Sequence, residues 1–114
     1  MNKVELQQQA ELVIKPINEI TNMDFKLSRI QIDTILWFNE DSDDKDRITY
    51  WYLTDIKSHS IGIEYYPNAK DGGYKYKCRY WKLTNGRLGN AMEQCFKTEL
   101  ELLVFLKQSK FKIK

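Results

Sequence analysis

Apolar residues recur along the first twenty positions at the spacing of one helix face. Steps of four, three, four and three residues join Leu6, Ala10, Val13, Ile17 and Ile20. Such steps place side chains on one stripe of an α-helix, so the pattern predicts a helix over residues 3–21. Pro16 cannot donate a hydrogen bond to the carbonyl four residues back, and we therefore expect a kink or a break near Lys15.

From residue 25 onward the apolar period changes from helical to alternating. Residues 25–38 predict a long strand whose buried face carries Ile30, Ile32, Leu36 and Phe38. Residues 40–46 contain no apolar side chain and predict a solvated turn. Residues 47–57 return to β-branched and aromatic composition, so these two strands are expected to form a hairpin.

Two further strands are predicted over residues 60–66 and 74–83. The dipeptide Asn85-Gly86 follows them and favours a tight hairpin turn, because both residues tolerate the left-handed backbone angles of a type I′ turn. Residues 87–96 therefore predict a fifth strand. A short helix remains an alternative there, since its spacing would align Leu88, Met92 and Cys95.

A second helix is predicted near the end of the chain. Residues 98–101, Thr-Glu-Leu-Glu, fit a capping box, and a helix to about Gln108 should follow. It is almost continuously apolar, so we expect it to dock on the sheet face carrying Ile30, Ile32, Leu36 and Ile48. The whole chain, residues 1–114, is thus predicted to be one α+β domain: a helix, a four- to five-stranded antiparallel meander sheet, and a C-terminal helix packed on that sheet.

Composition supports one independently folding domain. The chain has 114 residues, 42% hydrophobic and 30% charged, which is typical of a globular domain with a single core. Its longest apolar runs are far shorter than the ~20 residues that cross a bilayer. The first residues lack the features of a secretory signal. We therefore expect a cytoplasmic protein without membrane association.

Metal and cofactor sites are not predicted. Cys78, Cys95 and His59 are the only cysteines and histidine, which excludes a four-ligand Cys/His zinc site within one chain. A disulfide between Cys78 and Cys95 is geometrically possible, but free, half-buried thiols are the expected state in a reducing compartment. A calcium loop counted from Asp41 would need a glycine at its sixth position and a glutamate at its twelfth, and neither is present. No glycine spacing matches a dinucleotide or Walker loop.

One constellation invites an enzyme hypothesis. Asp33 with Asp55 and Lys57 is similar to the Asp…(Asp/Glu)-x-Lys motif of restriction-type nucleases, in which carboxylates hold a divalent ion, and Glu11 could add an outer carboxylate. That fold expects a helix soon after the lysine strand, whereas this sequence predicts more strands. His59 is interpreted as a turn histidine, because nothing in the sequence supplies its catalytic partners. We expect a protein that is not an enzyme.

Charge is distributed unevenly along the chain. Residues 1–64 hold seven Lys/Arg and twelve Asp/Glu, a net charge of −5. Residues 65–114 hold eleven Lys/Arg and four Asp/Glu, a net charge of +7. Such asymmetry favours an acidic and a basic face, and nucleic acid is one partner that a basic face would bind.

The stretch that best suggests a binding site is the predicted strand over residues 74–82. Strand alternation puts Lys75, Lys77, Arg79 and Trp81 on one face and Lys82 with the tyrosines on the other. Basic side chains beside aromatic rings are typical of surfaces that bind single-stranded nucleic acid. The predicted nucleic-acid-binding residues are Lys75, Lys77, Arg79, Trp81, Lys82 and Arg87, helped by a Lys-rich tail containing Lys107, Lys110, Lys112 and Lys114.

Two alternatives stay open. An ordinary half-buried strand also buries tyrosines on one face and exposes lysines on the other, without any ligand. A protein-binding module, such as an inhibitor or adaptor of the size of many small phage or bacterial accessory proteins, would instead dock through exposed aromatic side chains. Its anchors would come from Trp37, Trp51, Tyr66 or Trp81.

Overall fold

The computed structural model of the chain describes residues 2–34, 46–56, 58–69 and 72–111. Helix α1 (Lys3–Thr21) comes first, and helix α2 (Glu99–Leu106) is followed by a short 3-10 turn, Ser109–Phe111. Between the helices lie the strands β1 (Lys26–Thr34), β2 (Asp46–Ile56), β3 (His59–Tyr65), β4 (Tyr76–Thr84) and β5 (Arg87–Phe96). The predicted α+β order of helix, sheet and helix is confirmed.

The five strands form one meander sheet in the order β1-β2-β3-β4-β5, each strand antiparallel to the next. Both helices lie against the same face, here called the covered face; the opposite side is the open face. On the covered face the strands contribute the buried side chains Tyr50, Tyr52, Ile61, Ile63, Tyr76, Cys78 and Phe96. The helices meet them with Leu6, Ala10, Ile14, Ile17, Leu102, Leu103, Phe105 and Leu106.

Helix α1 runs without a break through Pro16, so the predicted break into two pieces is wrong. Proline removes the hydrogen bond to the carbonyl of Leu12, and Leu12 lies on the exposed side of the helix, away from the core. The buried stripe on the other side continues past the proline, with Ile14 and Ile17 packed into the core. The stripe ends there, since Ile20 is 49% exposed.

The turn chemistry predicted from the sequence is present. Asn85 and Gly86 both have positive φ, 54° and 76°, as a type I′ turn between β4 and β5 requires. The segment after the turn is a strand and not the alternative short helix. β5 is an edge strand whose side chains are exposed except at Phe96, and its register shifts after the Trp81↔Ala91 pair.

Helix α2 begins at the predicted cap. The Glu101 amide donates to Thr98 Oγ1 at 3.2 Å, and the Thr98 hydroxyl donates to the Glu101 carboxylate at 3.2 Å. The helix docks over β4 and β5, on the predicted sheet face, which also carries Ile30 and Ile48, but at the opposite edge of the sheet from these residues. Ile32 is 50% exposed as a consequence. The meander ends at the edge strand β5, so α2 begins at that edge. With only eight residues, it reaches only the neighbouring strands.

Three further sequence expectations can be compared with the structure. Cys78 is buried on β4 and Cys95 is exposed on β5, both as free thiols. His59 begins β3 and is buried, so its interpretation as a turn histidine is wrong. Among the described residues, neither helix is long and apolar enough to cross a membrane.

Candidate functional site

The open face of the sheet is the surface on which the sequence-predicted site lies. Residues paired across the ladder share a face, and one such row on the open side runs from Arg29 on β1 through Trp51, Glu64 and Lys77 to Cys95 on β5. The next row joins Lys26, Leu53, Gly62, Arg79 and Glu93. It lies two residues along each of β2–β5, and three along β1, where the register shifts between Leu27 and Arg29. A third row contains Asp55, Ser60, Trp81 and Ala91. Neither α1 nor α2, the two α-helices of the described residues, covers these rows.

Four of the six predicted site residues come together on this face. Lys77, Arg79 and Trp81 alternate with the buried residues of β4 and are half-buried. Lys75 is exposed and extends the ladder beyond β4, because its amide donates to the Phe96 carbonyl at 3.0 Å and its carbonyl accepts from the Tyr66 amide at 2.9 Å. Within the described chain, neither Lys75 nor Lys77 forms an ion pair.

The other two predicted residues lie elsewhere. Lys82 pairs with His59 on the covered side of the sheet, as strand alternation predicts. Arg87 is exposed and pairs with Thr84 beside the β4–β5 turn. Seven residues of β4 separate Thr84 from Lys77, roughly 23 Å at the rise of a strand. Neither residue therefore adds to the cluster around Lys77.

Arg79 is already engaged by two carboxylates. Its guanidinium lies 2.8 Å from Glu93 Oε1 and 3.8 Å from Glu64 Oε2. The Glu64 side chain is nearly buried, and the Tyr66 hydroxyl donates to its other oxygen at 3.2 Å. Burial, together with the nearby Glu64, raises the pKa of Tyr66, so this hydroxyl keeps its proton and remains a donor. The charge of Arg79 is thus largely balanced within the sheet.

A second indole, missing from the predicted nucleic-acid site, lies on the same open face. The Arg29 guanidinium stacks over the Trp51 ring at 4.6 Å, and Trp51 Nε1 donates to Gln31 Oε1 at 3.2 Å. These contacts hold the indole in a fixed orientation across β1 and β2. Strand alternation could have revealed it, because Trp51 lies between the buried residues Tyr50 and Tyr52 in the sequence.

A glycine lies between the two indoles on the open face. β3 separates the strands that carry Trp51 and Trp81, and its open-face residue at the centre is Gly62. A methyl group at Gly62 would lie 3.2 Å from Leu53 Cδ2, so the Leu53 side chain already rests over this glycine. The two indoles are thus separated by the Leu53 side chain over Gly62 and by Arg79 with its carboxylate partners.

Part of the charge asymmetry of the chain is carried into the sheet. Strands β1–β3 hold three basic and four acidic residues, whereas β4 and β5 hold four basic and one acidic residue. The meander places these two groups of strands side by side. The unpaired lysines of the open face, Lys75 and Lys77, accordingly lie toward the β5 edge. The acidic segment 40–45, Lys70 and the last tail lysines lie outside the described residues.

The nuclease-like motif is not assembled. Asp33 pairs with Arg47 and Asp55 pairs with Ser60, so eight residues of β2 separate the two positions, roughly 26 Å. Glu11 lies near Tyr52 on the covered side, whereas Asp55 belongs to the open face. Lys57 is outside the described residues. In the part of the chain that the structure describes, no three His, Cys, Asp or Glu side chains gather to bind a metal ion.

The protein-docking alternative shares part of this surface. Trp51 and Trp81 are half-buried on the open face, and Tyr66 is half-buried beside Glu64. Trp37 falls outside the described residues. Comparison with models of protein families, with curated proteins and with solved structures finds no match to this chain.

Proposed function

We propose that the open face binds single-stranded nucleic acid. The observation that carries this proposal is the presence of two half-exposed indoles, Trp51 and Trp81, on an uncovered sheet beside the unpaired Lys75 and Lys77. The indoles are two strands and four residues apart, which corresponds to roughly 16 Å at ordinary sheet spacings. Such a separation suits bases from different nucleotides of one strand.

In this proposal the indoles stack on bases, and the lysines contact phosphates. A base stacked on an aromatic side chain contributes about 1–3 kcal/mol, and any base provides the necessary ring face. The lysine ammonium groups contact phosphates and make binding depend on salt. A duplex keeps its bases stacked inside, so partly exposed indoles on an uncovered sheet face favour unpaired strands.

Arg79 receives a different role from the one predicted for it. Because Glu64 and Glu93 already balance its charge, a phosphate would gain less from Arg79 than from Lys77. Its ion pairs brace the sheet between the two indoles. We expect Arg79 to support the shape of the surface more than its affinity.

The test measures fluorescence anisotropy of a labelled oligonucleotide of ten to twenty bases at about 50 mM salt, where electrostatic attraction is strong. Trp81→Ala should weaken binding by roughly 5- to 150-fold, the range that one lost stack predicts. Lys77→Ala should also weaken binding. Lys15 is an exposed lysine on α1. The control variant Lys15→Ala has the same net charge as Lys77→Ala and should bind like the unmodified protein.

Protein binding is the alternative outcome. If the oligonucleotide does not bind at about 50 mM salt, the proposal is wrong, and the indoles of the open face become candidate anchors for a protein partner. A pull-down with and without nuclease treatment then separates the two functions. Loss of the partner on treatment supports nucleic acid, and retention supports a protein.

We further propose that binding is not accompanied by catalysis. The separated positions of Asp33 and Asp55 support this. An oligonucleotide incubated with the protein and Mg²⁺ should remain intact. Cleavage that disappears in Asp55→Ala would overturn the proposal.

A further inference from the structure

A second cluster of positive charge lies on the covered side of the sheet, around His59. Lys82 on β4 is the ladder partner of His59 on β3 and shares its face, so their Cβ atoms are about 5 Å apart. Lys110 reaches the same place from the 3-10 turn that follows α2. We call His59, Lys82 and Lys110, with the adjacent Ser58, the basic corner.

Aromatic rings hold the basic corner together. The His59 ring meets the Phe111 ring edge-on, with centroids 5.2 Å apart. The Lys110 ammonium lies 4.9 Å from the centre of the Tyr80 ring and 5.1 Å from those of Phe105 and Phe111. Three ring faces around one ammonium fix its position by cation–π attraction. Lys110 is therefore exposed, but its ammonium group is held beside the three rings.

No counter-charge from the described residues pairs with the positive charges of the corner. Across the described ranges of the chain, no carboxylate forms an ion pair with Lys82 or Lys110. Burial, followed by the charges of Lys110 and Lys82, lowers the pKa of His59. Ser58 Oγ lies 2.8 Å from His59 Nδ1. An anion that binds beside His59 would offset the effect of the two lysine charges on this histidine.

We propose that the basic corner binds a phosphate group. Two ammonium groups can donate charge-assisted hydrogen bonds to phosphate oxygens, and the imidazole can add a third donor when protonated. The corner is separated from the open face by the thickness of the sheet. This site therefore does not depend on the proposed function, and its ligand is a phosphate group either free or carried by a small ester or nucleic acid.

His59 is the only histidine in the chain, so its imidazole NMR signals report on the corner without ambiguity. Its pKa is measured with and without inorganic phosphate, and chloride at equal ionic strength serves as the control for screening. Phosphate should raise the pKa of His59 by on the order of one unit, the scale of a close opposite charge. Chloride should produce a clearly smaller change.

Matched variants locate the effect. Lys82→Ala and Lys110→Met should each remove most of the phosphate-dependent shift; methionine keeps aliphatic contact with the aromatic rings while losing the charge. Lys77→Ala, on the same strand but the opposite face, should keep the shift. The heteronuclear NMR spectrum of each variant checks that it is folded.

The results show whether the basic corner prefers phosphate to chloride and which molecule supplies the phosphate group. Equal shifts in phosphate and chloride, or equal loss of the shift in Lys77→Ala, would overturn the proposal. A shift with phosphate but none with an oligonucleotide lacking terminal phosphates assigns the corner to free phosphate or small esters. A shift with both assigns it to phosphate groups that include the nucleic-acid backbone. Because the readout is His59 and not oligonucleotide affinity, failure here leaves the open-face proposal standing.

Discussion

The hydrogen bond between the sheet and α1 provides a stability prediction with two separate readouts. Tyr52 is fully buried, and its hydroxyl donates to the Ala10 carbonyl at 2.7 Å. Tyr52→Phe removes this bond and very little volume. Ala10 lies inside a regular helix, so its carbonyl keeps its helical partner. The expected cost is therefore the net value of one hydrogen bond, about 1 kcal/mol, or about 4 °C in melting temperature.

At high pH, Tyr52→Phe should cost much less of the free energy of unfolding than at pH 7. Burial, followed by the neighbouring Tyr50 and Glu11, raises the pKa of Tyr52 above its ordinary value near 10. The unfolded chain therefore loses this proton at lower pH than the folded chain. Stability from the raised pKa is complete below pH 10 and is lost as the pH increases further. By pH 10.5 the loss through Tyr52 reaches about 0.8 kcal/mol.

Phenylalanine has no such proton, so Tyr52→Phe escapes that loss. Urea unfolding at pH 7 and at pH 10.5 should show the difference between the two proteins shrinking from about 1 to about 0.2 kcal/mol. Other tyrosines titrate alike in both proteins and cancel. A difference that stays constant between these pH values would refute the assignment of Tyr52 as a buried, neutral donor.

Two further predictions concern a thiol pair and a helix cap. Burial raises the pKa of Cys78 to about 12, whereas Cys95 is exposed. A thiol reagent at pH 8 should therefore modify one cysteine in the native protein and two after denaturation. Rapid modification of both cysteines in the native protein would contradict the buried position of Cys78. Thr98→Ala removes the acceptor for the Glu101 amide and should lower the free energy of unfolding by about 1 kcal/mol. Thr98→Ser should restore it, and an unchanged urea midpoint in the alanine variant would argue against the cap.

Most of the fold could be predicted because its signals are local. Alternation defines the strands, Asn85-Gly86 sets the last hairpin, and Thr98 caps the second helix. Where the prediction fails, a tertiary contact decides. Packing against the sheet on both sides of Pro16 keeps α1 continuous, and the short reach of α2 leaves Ile32 half exposed.

The candidate site could be predicted only in part, because some of its contacts join residues that are distant in the sequence. Alternation correctly divides Lys77, Arg79 and Trp81 from Lys82. It cannot show that Glu64 and Glu93 engage Arg79, because those residues come from two other strands. The neighbours of His59 are likewise distant in sequence, with Lys110 more than fifty positions away.

The salt dependence of oligonucleotide binding tests the central claim most directly. With Lys75 and Lys77 as phosphate contacts and Arg79 as an optional third, log affinity should fall against log salt with a slope of about −1.4 to −2.1. Lys77→Ala should flatten the slope by about 0.7, whereas Trp81→Ala should weaken binding with little change in slope. Absence of binding at about 50 mM salt, or a slope and affinity that neither variant alters, would contradict the account.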